Sequence, residues 1–114
     1  MAVTVDERGP VRIVRVRDAK LTYPVLGRFF ADVQAMVTAG ADLLLLDLSE
    51  VSYMDSASIG CLMDIHRLLQ ARGGALKLFG LQPRVETMIS MTGVHKIIDL
   101  HRDSDGYATI ELDH

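Results

Sequence analysis

The segment LLLLDLSEVSYMDSASIG, residues 43–60, decides the fold of this 114-residue chain. Its first half belongs to a continuous apolar run bounded by acids over residues 42–49, which is typical of a strand buried on both faces of a sheet. Its second half brings Asp55 and Ser56 to the start of a helical pattern over residues 56–72, which closes with Arg-Gly-Gly. The segment therefore predicts a junction where a buried strand passes to an amphipathic helix through a polar turn.

Strands and helices alternate on both sides of this junction. The patterns predict two strands paired across the turn DERGP (2–5 and 11–17, the second with one wet face), a helix over 25–39, a strand over 75–80, a helix from Pro83 and a short strand over 96–100. The tail 104–114 fits a helix or a strand equally well. This order predicts an α/β fold, a four- to five-stranded mixed β-sheet with helices packed on it, in a single domain spanning 1–114.

Composition excludes several classes of protein. Apolar residues make up 49% of the chain and the net charge is −3 with scattered charges, so neither a nucleic-acid-binding face nor a membrane span is expected. One cysteine, Cys61, and an N-terminus without a secretory pattern predict a cytoplasmic protein. The four histidines lack ligand spacing and are expected on the surface, so we predict no metal and no cofactor.

A helical wheel divides the second helix into two faces. Its core face carries the cysteine and three leucines with Ile65, and Ser58 joins that face at the first turn. The opposite, wet face carries Ser56, Gly60, Met63, Asp64 and Arg67, with Ile59 at its margin. The candidate partner-binding residues are Asp55, Ser56, Ile59, Gly60, Met63 and Arg67. Met54, Met63, Met88 and Met91 are candidates for a soft docking surface, although Met88 fits the core better.

Two interpretations of the Asp-Ser pair stay open from the residues alone. The simpler one is that Asp55 or Ser56 only caps the helix, because a helix N-terminus leaves backbone N–H groups unpaired. The functional one is phosphorylation of Ser56, since a helix N-terminus favours an anion and a phosphate adds about −1.5 to −2 charge. Asp47, Glu50 and Asp55 are interpreted as strand-ending and capping acids rather than as a catalytic pair.

As an ordered series, the motifs resemble a known family. The run LLLLDLSEVSYMDSASIG, the Gly-Gly break after the helix, the Pro-started helix and MTGVHKIIDL are together similar to the STAS domain of bacterial anti-sigma factor antagonists. The family commonly has Asp-Ser-Ser-Gly-Leu-Gly where this chain has DSASIG, and Gly-x-Leu-Asp where it has DAKLTYP. The latter segment usually lies near the phosphorylated serine.

The resemblance implies a switch between partners. By position, Ser56 matches the serine that a partner kinase phosphorylates. The unmodified domain would bind an anti-sigma factor that is also a serine-protein kinase, phosphorylation of Ser56 would break that complex, and a phosphatase would restore it. A monomer or weak homodimer is expected.

Two alternatives stand beside this reading. The first is a STAS scaffold subunit of a stressosome-like complex or of a lipid-transport ABC system. The second is a small enzyme acting through Asp55 and Ser56, which is disfavoured because a serine nucleophile normally needs a histidine at its hydroxyl. We therefore predict no catalytic residues, and Cys61, on the core face without an adjacent base, is not expected to be a nucleophile.

Overall fold

A computed structural model describes residues 3–101 of the chain. In chain order its elements are β1 Val3–Arg8, β2 Val11–Val16, β3 Lys20–Leu21, α1 Tyr23–Thr38, β4 Leu43–Asp47, β5 Tyr53–Met54, α2 Ser56–Gln70, β6 Ala75–Phe79, α3 Pro83–Met91, a 3₁₀ helix Val94–Lys96 and β7 Asp99–His101.

Five of the strands form one mixed sheet in the order β1-β2-β4-β6-β7. The β1–β2 pair is antiparallel, and the other three neighbouring pairs are parallel. Strands that lie parallel need a long connection between them, and helices α1, α2 and α3 supply it. The predicted α/β class, the mixed sheet and the pairing of the two N-terminal strands are confirmed.

Strand β4 is the centre of this sheet because both of its faces are covered. All five of its residues are buried. Leu44 and Leu46 belong to the large core that includes the helices, whereas Leu43 and Leu45 pack in a second cluster with Ile13. A strand buried on both faces has no need for polar alternation, which explains why the sequence there is a run of leucines.

Strand β2 differs from its prediction, which gave it one wet face. Five of its six residues are buried, and only Arg15 is half-buried. The buried guanidinium of Arg12 pairs with the carboxylate of Glu7 at 2.9 Å and also donates to the carbonyl of Gly9. The arginines were interpreted as solvent-facing, but local acceptors allow one of them to be buried.

A second, two-stranded sheet was not predicted. Residues Lys20–Leu21 pair in parallel with Tyr53–Met54. Each of these short strands ends two residues before a helix begins, α1 at Tyr23 and α2 at Ser56. The small sheet therefore brings the N-termini of α1 and α2 side by side, which is the geometric basis of the site described below.

Two further boundaries differ from prediction. Helix α1 begins at Tyr23 rather than near residue 25, with Pro24 in its first turn, where a missing N–H is tolerated. The strand expected over 96–100 is found at 99–101, because residues 94–96 form a 3₁₀ helix after the left-handed Gly93. The alternatives for the tail 104–114 fall outside the described residues.

Candidate functional site

Helix α2 begins with a side-chain cap from Asp55. This residue has an extended backbone conformation, and its Oδ1 accepts a hydrogen bond from the backbone N–H of Ser58 at 2.8 Å. One of the unpaired donors at the helix start is thereby satisfied. Of the two predicted capping residues, Asp55 is the one that caps.

The same carboxylate also reaches the other helix. Oδ2 of Asp55 accepts a hydrogen bond from the backbone N–H of Tyr23, the first residue of α1, at 2.9 Å. Donation from the Tyr23 N–H is the main reason that the pKa of Asp55 is lowered below its ordinary value, with smaller contributions from Ser58. One ionised side chain thus serves two helix N-termini, both of which favour a negative charge.

This link confirms that segment 18–24 lies beside the start of α2. The resemblance of the sequence had implied that proximity. The hydrogen bond itself joins residues 32 positions apart in sequence, and no local pattern indicates it. Only the parallel pairing of β3 with β5 would have indicated this bond. Each of these strands is two residues long, which is too short for a hydrophobic pattern in the sequence to predict it.

Two serines of the first turn of α2 face opposite directions. Ser56, the first residue of the helix, is exposed. Ser58 is fully buried, and its hydroxyl donates to the backbone carbonyl of Asp55 at 2.7 Å. The inward direction predicted for Ser58 is confirmed, and so is the outward direction of Ser56. The serine that stands where the family has glycine therefore supports the first turn from within.

The exposed face of α2 continues from Ser56 toward the C-terminus of the helix. Gly60, Asp64 and Arg67 are exposed and Met63 is half-buried. Arg67 and Asp64 form an ion pair one turn apart. Ile59, predicted at the margin of this face, instead packs in the core with 7% of its surface exposed. A helical wheel places Ile59 between the two faces. In the structure its side chain points inward, because the core packs against the first turn of α2.

A groove runs between α1 and α2 next to this face. Its walls include Tyr23, Gly27 and Phe30 on α1 and Ala57, Gly60 and Met63 on α2. The groove has a volume of about 690 Å³ and lies open to solvent. Residues of the α2 wall are predicted from the sequence, whereas the α1 wall is not, because an exposed tyrosine and a glycine on a helix carry no specific signal.

The acids near the junction are separately neutralised. Asp47 is fully buried; its Oδ2 accepts from Nε of Arg15 at 3.0 Å and its Oδ1 from the backbone N–H of Ser49 at 2.8 Å. Glu50 pairs with Arg17 at 2.8 Å. Each acid therefore has its own cation or backbone donors, which agrees with strand-ending roles rather than with a pair of catalytic carboxylates.

The cysteine and two methionines named as candidates differ in how deeply they are buried. Cys61 is buried, and desolvation, with a smaller contribution from Asp64, raises the pKa of its thiol to about 11. Met54 is fully buried, so its prediction as a docking residue is wrong, whereas Met91 is exposed.

The histidines only partly follow their prediction as surface residues. His95 is exposed, but His66 and His101 are half-buried. The His101 ring stacks on Phe79, with its Nε2 buried. His114 lies outside the described residues.

Two kinds of feature are absent from residues 3–101, a group of possible metal ligands and a helix able to cross a membrane. In that range no three histidine, cysteine, aspartate or glutamate side chains come together as a metal-binding group. None of the helices in the same range is both long enough and apolar enough to cross a membrane.

Comparisons with known proteins agree on one family. The model of the STAS domain matches residues 2–107. Over 67 residues the chain is 39% identical to an anti-sigma-B factor antagonist of Bacillus subtilis, and this match covers 59% of the chain and 61% of that relative. A Listeria monocytogenes protein of the same name is 40% identical over 58 residues, which is 51% of each protein. The matches thus span about half to three fifths of the length of these curated relatives.

Solved structures show the same fold at low sequence identity. An anti-sigma factor antagonist from Mycobacterium paratuberculosis superposes with a TM-score of 0.84 at 20% identity, covering 96% of this chain and 92% of the other. The Bacillus cell fate determinant SpoIIAA in its phosphorylated form superposes with a TM-score of 0.74 at 16% identity, covering 96% and 99%.

Proposed function

The chain belongs to the STAS domain family, and from that premise we propose that it is an anti-sigma factor antagonist switched by phosphorylation of Ser56. In its unmodified form it binds an anti-sigma factor that is also a serine-protein kinase. The observation that carries this proposal is the exposed Ser56 at the first position of α2, directly after the capping residue Asp55. The curated relatives named as anti-sigma factor antagonists support the same class of function.

Phosphorylation of Ser56 is compatible with the folded domain. The serine hydroxyl attacks the γ-phosphorus of ATP held by the kinase, ADP leaves, and the hydroxyl proton is released. Because the side chain is exposed, the phosphoryl group occupies solvent rather than core. The N-terminus of α2 favours the added negative charge, while the neighbouring Asp55 carboxylate opposes it. A phosphatase reverses the modification by hydrolysis.

The switch works through the contact surface rather than through unfolding. Gly60 and Met63 follow Ser56 along the exposed face of α2, and Gly60 permits close approach of another protein. Burying a dianion in such a contact without a compensating cation costs at least several kcal/mol. Each 1.4 kcal/mol changes an affinity about tenfold, so the modification weakens the complex by orders of magnitude.

A non-catalytic role fits the surroundings of Ser56. His66, on the same helix, is ten residues away, which corresponds to about 15 Å along the helix axis at 1.5 Å per residue. That separation is too large for general-base catalysis at the Ser56 hydroxyl. We therefore propose a regulatory binding module rather than an enzyme. We also propose that it acts in the cytoplasm as a monomer or weak dimer.

The test compares three variants with the wild-type protein. Ser56→Asp places a negative charge at the site, Ser56→Ala removes the hydroxyl, and Thr87→Asp places the same charge on an exposed position of α3. Binding to the purified kinase-type anti-sigma factors of the same organism is measured by calorimetry. We expect Ser56→Asp to weaken binding at least tenfold, whereas Ser56→Ala and Thr87→Asp bind as the wild type does. Equal affinities for Ser56→Asp and Ser56→Ala would refute the switch.

A further inference from the structure

The central sheet has an apolar face that lies away from the helices. Helices α1, α2 and α3 all contribute buried side chains to the core on one face of the sheet. The cluster on the opposite face contains no residue from these helices. We call this opposite side the leucine face; its buried members are Val11, Ile13, Leu43, Leu45 and Phe79. All five residues are nevertheless at most 8% exposed.

The burial of the leucine face requires a cover from the same chain. Side chains stand perpendicular to a sheet, so neighbouring strands alone do not enclose them. Leu45 is completely buried within a single copy of the chain, so a second copy is not needed to account for it. Residues 1–2 are too short a cover, because they precede the edge strand β1 and span at most about 7 Å, whereas β4 lies about 10 Å from β1. The remaining part of the chain is the segment 102–114.

This segment begins beside the leucine face and is long enough to cross it. Strand β7 ends at His101, whose ring stacks on Phe79 with the ring centroids 4.5 Å apart. The chain therefore leaves the sheet on the side of the leucine face. From β7 to β2 there are three strand spacings, or about 14 Å. The thirteen residues of 102–114 reach about 20 Å even at the rise of a helix, and farther when extended.

The composition of the segment suits this face. Its second half is rich in apolar residues, with Tyr107, Ala108, Ile110 and Leu112 separated by polar ones. The whole segment also carries four acids and one arginine. Next to Ile13, the margin of the leucine face on the β1 side carries Arg8 and Arg15. Apolar side chains for the centre and negative charge for this margin are what the face can accept, and the apolar contact is the larger contribution.

We infer that the segment 102–114 docks on the leucine face and completes the core on that side of the sheet. The inference does not depend on the proposed function, because the leucine face lies on the opposite side of the sheet from α2, which carries Ser56. Its functional consequence is that this face is closed to other proteins. Partners then have access to the helix side of the sheet only.

The direct test is nuclear magnetic resonance on the full wild-type chain. With the methyl groups of leucine and isoleucine labelled, we expect nuclear Overhauser effects between Leu43 or Leu45 and at least one of Ile110, Leu112 and the ring of Tyr107. Their absence would overturn the inference. A mixture of labelled and unlabelled chains identifies contacts between copies; if the effects arise only between copies, the cover belongs to a second copy and the inference is likewise overturned.

Substitutions in the segment give an independent measurement. Ile110→Asp and Leu112→Asp each place a charge where the inference requires an apolar contact, and Thr109→Asp is the matched control because it adds the same charge at a polar position between them. We expect the melting temperature to fall by at least about 4 °C for one or both of the first two variants and by less than about 1 °C for the control. Equal melting temperatures for all three would overturn the inference. Should a variant fail to fold, the resonance measurement on the wild type decides.

Discussion

Replacing Asp55 by alanine should loosen two helices at once. The carboxylate accepts from the N–H of Ser58 at 2.8 Å and from the N–H of Tyr23 at 2.9 Å. Loss of a helix cap costs about 1 kcal/mol. Loss of a second hydrogen bond to a charged acceptor costs about 1.5 kcal/mol, and less where water replaces it. We expect Asp55→Ala to lower the free energy of unfolding by about 2 kcal/mol in total.

Thermal and denaturant unfolding measure this loss. For a domain of this size 1 kcal/mol corresponds to about 4 °C, so the melting temperature should fall by about 8 °C. Asp55→Asn is the matched control, because asparagine is as good a cap as aspartate, but its amide nitrogen is a donor and cannot accept from the N–H of Tyr23. It should therefore keep the cap and lose only the second hydrogen bond, so that its loss is about 1 kcal/mol smaller than that of Asp55→Ala. A melting temperature for Asp55→Ala within 1 to 2 °C of the wild type, about the shift that a few tenths of a kcal/mol would give, would refute the account of the shared carboxylate.

The pH dependence follows from the lowered pKa of Asp55 in the folded state. A carboxyl whose folded pKa lies below its unfolded value stabilises the protein above the unfolded pKa of about 4, and this contribution is lost as the pH falls through the folded pKa. The stability difference between the wild type and Asp55→Asn should therefore be largest near neutral pH and shrink below pH 4. A difference that is constant down to pH 2 would contradict the assignment.

The remaining predictions concern glycines and the cysteine. Gly74→Ala should lower the free energy of unfolding by at least 2 kcal/mol, because its Cβ would lie 2.0 Å from the backbone oxygen of Asp42; Gly60→Ala, the same change in open space, should raise it by about 1 kcal/mol in the same denaturant titration. Equal effects of the two would contradict the packing described. Cys61, whose pKa is raised to about 11, should resist iodoacetamide at pH 8 when folded and react once unfolded; rapid labelling of the folded protein would show that the thiol is accessible.

The sheet and helices were predictable where one pattern dominates. The leucine run of β4 has no polar alternation and is short, which favours a strand buried on both faces. The stripe on α1 and Pro83 at the start of α3 were equally specific. Ser56 and Ser58 were correctly placed on opposite sides of α2 because helical geometry fixes side-chain directions within one turn.

The failures have a common origin in tertiary contacts. The burial of Arg12 depends on Glu7 and on the carbonyl of Gly9, which come near only when β1 pairs with β2. The stacking of His101 on Phe79 depends on the pairing of β6 with β7. The bond from Tyr23 to Asp55 depends on β3 and β5, whose strands are two residues long. No local pattern carries such information.

The central claim is that a phosphoryl group on Ser56 prevents a contact that the bare hydroxyl permits. The most direct measurement uses the wild-type protein, phosphorylated stoichiometrically at Ser56 and verified by mass spectrometry, in calorimetric titration against its purified anti-sigma factor. We predict at least a hundredfold weaker affinity than for the unmodified protein, equivalent to about 2.7 kcal/mol, with an unchanged far-ultraviolet circular dichroism spectrum. The same affinity for both forms would contradict the claim.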